Sequence, residues 1–279
     1  MSSLLARIKE ERKKAKSRAG GDERDSSNNL STFLLPAQPP LSPLSSSASS
    51  SPHIDQTLIA FSSYISPIST CKVSDVDNIY YIPNAIDSDV ATALQAHIDS
   101  NGLSWTQLKT RKLKCFEKGS SGSTTNDDSF PRWLQTLCDC LIQYNAYHSS
   151  IQPNHVLINR YEEGEGIPHH TDGPAYHDQV AIISLGSPAY FTFKRNVPTD
   201  MVGIVDGKED IVKLVLEPNS LLIFNGSAYS DFLHGIEANF DPSQIDVESC
   251  DNKPLLTLDN VQFSTRTSLT IRKIIRQED

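Results

Sequence analysis

Three side chains in the second half of the chain are of the types that bind one metal ion. His170 and Asp172 stand two positions apart in HHTDGP, and His234 follows in FLHGI. On an extended strand, side chains two apart project from the same face, so His170 and Asp172 can ligate one ion together. Two imidazoles and one carboxylate leave about three of six octahedral positions open, which suits a non-haem Fe(II) centre that activates oxygen. We therefore predict a metal site formed by His170, Asp172 and His234.

The H-x-D pattern alone is weak evidence, because it occurs three times in the chain. With 8 His and 34 acidic residues among 279, chance alone supplies about one histidine two positions before an acidic residue. The pair at 53 and 55 follows a tract of serine and proline. The pair at 97 and 99 lies in a predicted helix, where positions two apart do not face each other. Only the pair at 170 and 172 begins a strand-rich region, and its alternative interpretation is an exposed turn without function.

Two predicted strands carry alternating polar side chains. In HVLINRY, Asn159 and Tyr161 share one face, and in RTSLTIR, Arg266, Ser268 and Arg272 share one face. For each strand alone, the ordinary interpretation is a polar face turned to water. If these faces instead line the interior of a barrel, the two buried guanidiniums need anionic partners. A dicarboxylate would supply both through bidentate contacts.

The order of the predicted elements indicates an α+β fold. Two helices, DSDVATALQAHIDSNG and FPRWLQTLCDCLIQYNAY, precede six or more short β-branched or aromatic strands after Pro153. We predict a double-stranded β-helix (jelly roll) core with two flanking N-terminal helices. Residues 1–74 combine a basic segment with a tract of Ser, Gly, Asn and Pro, so we predict a disordered region there and one domain over 75–279. The sequence gives no placement for the polar interruptions at 195–210 and 238–260.

Composition excludes several classes of protein. The net charge of −9 and pI near 5.3 argue against a domain that coats nucleic acid through its overall charge. Five cysteines without a C-x-x-C pair indicate neither a disulfide framework nor a zinc site. Without a secretory signal or a long apolar run, we expect a soluble protein of the nucleus or cytoplasm, with no membrane contact and no indicated protein partner. We expect a monomer, although the sequence does not determine the oligomeric state.

Taken in order, N-x-Y, H-x-D, a distant histidine and R-x5-R resemble the AlkB-type Fe(II)- and 2-oxoglutarate-dependent dioxygenases. The resemblance covers roughly 78–279, and the segments IYYIPN, NHVLINRY, ISLGS, FLHGI and RTSLTIR are similar to the sixth AlkB homologue subfamily of eukaryotes. It implies a jelly roll that uses Fe(II), 2-oxoglutarate and O2.

The resemblance also implies a role for each matching residue. The iron ligands would be His170, Asp172 and His234. Asn159 and Arg272 would face the C1 carboxylate of 2-oxoglutarate, and Tyr161 and Arg266 would hold its C5 carboxylate. Ser268 stands where the wider family often has asparagine, so we expect a shorter or water-mediated contact with the co-substrate there.

The activity that the resemblance implies is oxidative dealkylation of nucleic acid, either RNA or DNA. Succinate and CO2 would form from 2-oxoglutarate, while a substrate N-methyl group is hydroxylated and leaves as formaldehyde. The segment before the barrel would form a lid over a flipped base, with Phe116 or Trp105 against the base and Lys112 and Lys114 near phosphates. The alternative for both aromatic rings is ordinary core packing.

Two other functions compete with this interpretation. One is a protein hydroxylase or demethylase with the same chemistry. Prolyl-type hydroxylases commonly bind 2-oxoglutarate through a single basic residue, so the paired Arg266 and Arg272 disfavour that class. The other is a jelly-roll binding module without turnover. Replacement of a metal ligand would support it, but all three candidate ligands are present.

Overall fold

A computed structural model describes residues 72–73, 76–100, 102, 104–119, 130–196, 211–238, 246–257 and 264–275. All of these residues belong to one compact unit. The region 1–74, for which we predicted disorder, lies outside the described residues except for positions 72 and 73, and so does most of the interruption at 195–210. No helix in the described part of the chain is long and apolar enough to cross a membrane.

The described strands form two antiparallel sheets. In chain order they are β1 (Ile79–Ile82), β2 (Thr106–Gln107), β3 (Lys112–Glu117), β4 (His155–Tyr161), β5 (Ile167–His170), β6 (Tyr176–Gly186), β7 (Ala189–Arg195), β8 (Ile211–Leu216), β9 (Leu221–Asn225), β10 (Phe232–Ile236) and β11 (Arg266–Ile274). The larger sheet has the order β1-β9-β6-β11-β4-β3-β2, and the smaller sheet has the order β5-β10-β7-β8. From β4 onward the chain passes repeatedly between the two sheets, as a jelly roll requires.

Two of the three described α-helices cover the outer face of the larger sheet. The described α-helices are α1 (Ser88–Ser100), α2 (Arg132–Gln143) and the short α3 (Gly226–Ser230). The side chain of Asp87 accepts a hydrogen bond from the backbone N–H of Asp89 at 3.0 Å, which satisfies one of the free donors at the start of α1. One face of α2 is apolar, and its Leu134, Leu137 and Leu141 are fully buried. The fold is therefore mixed α/β, with its helices packed against an antiparallel sheet.

The core divides into two clusters on opposite faces of the larger sheet. The outer cluster joins α1 and α2 to strand residues such as Ile158, Leu269 and Ile271. The inner cluster lies between the two sheets and includes Phe193 and Phe224. Because side chains alternate along β11, burial of Leu269 and Ile271 outside turns its arginines toward the space between the sheets. The residues predicted to line the barrel interior therefore face inward.

The interruption at 238–260 covers an exposed sheet edge with its described part, residues 246–257. Asn252, which is 0% exposed, accepts a hydrogen bond from the N–H of Val215 at 3.1 Å and donates to the carbonyl of Val215 at 2.8 Å. Its neighbour Asp251 makes two further bonds to the backbone of Lys213, both on β8. This segment satisfies the outer edge of β8 in place of a strand, and so protects it from pairing with other chains.

Candidate active site

Pairing of β5 with β10 brings two of the predicted metal ligands together. His170 is the last residue of β5 and lies directly across from His234 on β10. Their imidazole rings have centroids 4.5 Å apart. One ligand atom each from His170, Asp172 and His234 lies within 4.8 Å of the others, close enough for the three to ligate a common ion.

The position of Asp172 has a different cause from the one we predicted. The strand ends at His170, so Asp172 lies in the connection to β6 rather than beside His170 on one strand. There Nη1 of Arg272 donates to Oδ1 of Asp172 at 2.5 Å. The next residue, Gly173, has a φ of 90°, and its carbonyl accepts a hydrogen bond from the Tyr229 hydroxyl at 2.7 Å. A turn and an ion pair, rather than strand alternation, place this carboxylate.

The protonation states of His234 and Asp172, and the orientation of the His170 ring, suit a cation. Nδ1 of His170 donates to the carbonyl of Pro168 at 2.9 Å, which leaves Nε2 as the acceptor of the neutral ring. Burial lowers the pKa of His234 to about 3, although Asp172 opposes that shift, so this imidazole is neutral near pH 7. Burial alone would raise the pKa of Asp172, but the charge of Arg272 is the largest of the causes that outweigh it, and the pKa is lowered. The site thus offers the neutral imidazole of His234, the imidazole of His170 and the carboxylate anion of Asp172.

Orphaned polar atoms at the same place indicate that a cation fits. Oδ2 of Asp172 and Nδ1 of His234 are buried without a hydrogen-bond partner in the part of the chain that the structure describes. The neighbouring His169 turns toward β7 instead, where its Nε2 lies 2.7 Å from Oγ1 of Thr192. Fe(II) with open positions suits a set of two histidines and one carboxylate, so these residues fit the metal.

A polar surface beside the metal site contains the residues predicted for the co-substrate. The register of β4 with β11 places Tyr161 opposite Arg266 and Asn159 opposite Ser268, and all four are buried. Nη2 of Arg266 donates to Oγ of Ser184 at 2.9 Å. Burial lowers the pKa of Arg266 to about 10, and no described carboxylate forms an ion pair with it. A buried cation without an anion fits a carboxylate ligand.

Arg272 lies at the other end of this surface and already has an anionic partner. Its ion pair with Asp172 raises its pKa despite burial, and its guanidinium lies 4.1 Å from the ring centroid of Tyr176. Its Nε is buried without a hydrogen-bond partner among the described atoms. Arg272 therefore holds the carboxylate of a candidate metal ligand and retains a donor for a second group.

The predicted lid is wrong for Phe116 and Lys114. Both belong to the face of β3 that packs toward the helices: Phe116 is in the outer core, with its ring edge-on to Trp133 at 6.5 Å. Lys114 is buried, with Nζ 3.3 Å from Oγ of Ser104 and 5.6 Å from the centre of the Phe116 ring. Alternation along β3 puts both side chains on the sheet face opposite Asn159.

The other two lid residues also have local partners. Trp105 packs against the outer core, and the guanidinium of Arg160 lies 4.9 Å from its ring centroid. Nζ of Lys112 lies 3.7 Å from a carboxylate oxygen of Glu162. The second H-x-D pair, at 97 and 99, lies in α1 as predicted, and there Asp99 forms an ion pair with Arg160.

Three residues near the site were not predicted. Nε of Arg111 donates to Oδ1 of Asn159 at 3.1 Å, and Sγ of Cys115 lies 3.1 Å from Nε2 of His155. His155 shares the strand face of Asn159 and Tyr161, so alternation along β4 could have identified it. The contact of Arg111 depends on how the β2–β3 hairpin folds across β4, and sequence alone gives no signal for that.

Comparison with known proteins agrees with the metal site that the geometry indicates. Residues 80–272 match the family described as the 2OG-Fe(II) oxygenase superfamily. The chain is 32% identical over 205 residues to the "Probable RNA/DNA demethylase ALKBH6" of Danio rerio, covering 71% of this chain and 87% of that protein.

Two further relatives cover less. The "tRNA (carboxymethyluridine(34)-5-O)-methyltransferase alkbh8" of Xenopus tropicalis is 29% identical to this chain. The match covers 63% of this chain and only 28% of that protein. The "Alpha-ketoglutarate-dependent dioxygenase AlkB" of Escherichia coli (strain K12) is 31% identical over 42% of this chain and 52% of its own length. The chain therefore belongs to the 2OG-Fe(II) oxygenase superfamily, as an AlkB-type dioxygenase that uses Fe(II), 2-oxoglutarate and O2.

Proposed function

We propose that this dioxygenase removes alkyl groups, in particular methyl groups, from RNA or DNA. The support from comparison is the likeness to a protein named as a probable RNA/DNA demethylase, along 87% of that protein. The observation that carries the chemistry is the buried Arg266, which has no anionic partner in the described structure and lies on the strand that also carries Arg272. A dicarboxylate co-substrate supplies the missing anion.

In this proposal His170, Asp172 and His234 hold the iron. Asp172 contributes a charge of −1 and His234 a neutral imidazole, and two histidines with one carboxylate suit a divalent cation. When bound, Fe(II) supplies activation of O2 next to the co-substrate. Arg272 keeps Asp172 ionised and oriented, as the hydrogen bond at 2.5 Å and the lowered pKa of Asp172 indicate.

The co-substrate lies along β4 and β11. Arg266 and Tyr161 receive the C5 carboxylate, and the C1 carboxylate faces Asn159 and Arg272. Ser268, opposite Asn159 in the register, lies between the two ends. Because Arg272 is already paired with Asp172, the new ion pair that a dianion gains is at Arg266.

The reaction consumes 2-oxoglutarate and O2, which the family uses together with Fe(II). Decarboxylation oxidises 2-oxoglutarate to succinate and CO2, and one oxygen atom of O2 enters the succinate. The other atom becomes the hydroxyl group of a hydroxymethyl substituent on the substrate nitrogen. The hydroxyl group then loses its proton, the C=O bond of formaldehyde forms as the C–N bond breaks, and the nitrogen takes the electron pair of that bond.

A product assay tests the proposal. Purified protein with Fe(II), ascorbate and 2-oxoglutarate is incubated separately with N-methylated single-stranded RNA, with N-methylated DNA of the same sequence and with a methylated peptide. Formaldehyde and succinate are then measured. We expect formaldehyde from an oligonucleotide, in equal amount to the additional succinate. His170→Ala and Asp172→Ala should abolish both products, whereas His97→Ala, from the helical H-x-D pair, should keep them.

Each adverse result has a separate meaning. Formaldehyde from the peptide alone would overturn the assignment to nucleic acid. Equal succinate from wild type, His170→Ala and Asp172→Ala would overturn the assignment of these residues to the iron site.

A further inference from the structure

One cation of the β2–β3 hairpin reaches the surface that we assign to the co-substrate. Arg111 precedes β3 and closes the hairpin turn, where its carbonyl accepts a hydrogen bond from the N–H of Leu108 at 2.9 Å. Its side chain crosses to β4, and Nε donates to Oδ1 of Asn159 at 3.1 Å. Two other cations of this hairpin have partners elsewhere, since Lys112 pairs with Glu162 and Lys114 bonds with Ser104.

This contact fixes the direction of the Asn159 amide. A guanidinium has donors and no acceptor, so only the oxygen of the amide can face Arg111. The NH2 group of Asn159 must then point away from Arg111. Asn159 is buried and lies opposite Ser268 in the register of β4 with β11, on the surface that we assign to the co-substrate.

We propose that Arg111 is a positioning residue for 2-oxoglutarate: it holds the Asn159 amide so that its NH2 group donates to the co-substrate. The proposal rests on the proposed co-substrate site along β4 and β11. Without Arg111, the amide can rotate and present its oxygen, and an oxygen lone pair repels a carboxylate where a donor would bind it. The hairpin at the edge of the larger sheet thereby contributes to co-substrate affinity although it carries no metal ligand.

Loss of Arg111 should weaken the binding of 2-oxoglutarate more than it slows the chemical step. A misdirected amide costs about one hydrogen bond to a charged group, on the order of 1.5 kcal/mol, which corresponds to roughly a tenfold higher Kd for 2-oxoglutarate. At saturating co-substrate the metal and its ligands are unchanged, so kcat should stay within about twofold while KM for 2-oxoglutarate rises.

The test measures binding without turnover. Titration calorimetry follows 2-oxoglutarate binding to the Mn(II)-loaded full chain in wild type, Arg111→Met, Asn159→Ala and the double variant. Lys112→Met is the matched control, because it removes a cation of the same hairpin from the opposite strand face. Thermal melting of each metal-free variant reports whether it is folded. If Arg111→Met does not fold, Arg111→Lys, which retains a hydrogen-bond donor, provides a second variant.

We expect Arg111→Met and Asn159→Ala each to raise the Kd about tenfold, the double variant to be no weaker than Asn159→Ala, and Lys112→Met to match wild type. A wild-type Kd for Arg111→Met would overturn the inference, and so would losses that multiply in the double variant, because Arg111 would then act independently of Asn159. If wild type itself binds no 2-oxoglutarate, the proposed co-substrate site fails, which is a different result from either of these.

Discussion

The two buried arginines of β11 have opposite electrostatic situations. Arg272 has Asp172 as a partner, and its pKa is raised. Arg266 has a serine, an aromatic ring and no described carboxylate, and burial lowers its pKa to about 10. Arg272 is therefore compensated before any ligand binds, whereas Arg266 is compensated only by one. Arg266 and Arg272 look equivalent in the sequence, but the same substitution should change the stability of the protein differently at the two positions.

We expect Arg272→Met to destabilise the metal-free protein by about 3–5 kcal/mol, because it leaves the buried Asp172 carboxylate without its partner. Arg266→Met removes a buried charge that has no anion, so it should change the unfolding free energy by less than about 1 kcal/mol or increase it. Both variants should lose 2-oxoglutarate binding. Urea unfolding of the metal-free proteins measures the difference. Equal destabilisation by the two substitutions would contradict the assignment of separate roles.

At the scale of elements, the metal site depends on how closely β5 approaches β10. A Cβ atom on Gly235 would lie 2.8 Å from the carbonyl oxygen of Ile167 and 3.0 Å from the backbone nitrogen of His169. Both neighbours are backbone atoms, which cannot turn aside as a flexible side chain can. Only glycine therefore allows β5 to lie at this distance from the strand that carries His234.

Gly235→Ala should separate β5 from β10 and move His170 away from His234. We expect the protein to remain folded and its metal affinity to fall by roughly tenfold or more, as for other changes that misorient metal ligands. Titration calorimetry with Mn(II) measures the affinity, and circular dichroism checks the fold. The control is Leu233→Ala, which shortens a side chain on the same strand and adds no atom near β5. Wild-type affinity in Gly235→Ala would show that the two strands tolerate a wider gap.

At the scale of the whole molecule, the sequence was informative where one strand alone determines the outcome. Alternation along β4 and β11 predicted which side chains share a face, since each strand needs only its own neighbours for that; which face turns inward was left open. The resemblance assigned Phe116 and Lys114 of β3 to a nucleic-acid lid, whereas both are buried on the face that meets the helices. Which face of β3 meets the helices depends on its register with β4, and that register is a long-range property of the fold. Arg111 was missed for the same reason, and Asp172 is placed by Arg272, 100 residues later in the chain.

Buried histidines should make the metal-free protein sensitive to acid. Burial is the largest cause that lowers the pKa of His155 well below its ordinary 6.5, and Arg272 adds to it. A histidine with a lowered folded-state pKa binds its proton only after unfolding, so its contribution is complete above about pH 6.5 and is lost as the pH falls. For His155 we expect the unfolding free energy to fall by about 1.4 kcal/mol per pH unit below pH 6. His234 should add a loss of the same sign, because its pKa is lowered to about 3.

Urea unfolding between pH 8 and pH 5 measures this dependence. His155→Gln should reduce the slope of the unfolding free energy against pH by the contribution of one proton, since the amide does not titrate. His148→Ala is the control, because it removes a histidine at an exposed position. A stability profile that is flat from pH 8 to pH 5, or identical in wild type and His155→Gln, would show that His155 binds a proton as readily in the folded protein as in the unfolded chain. The buried surface around Arg272 would then accommodate a second cation at low pH, which contradicts a lowered pKa for His155.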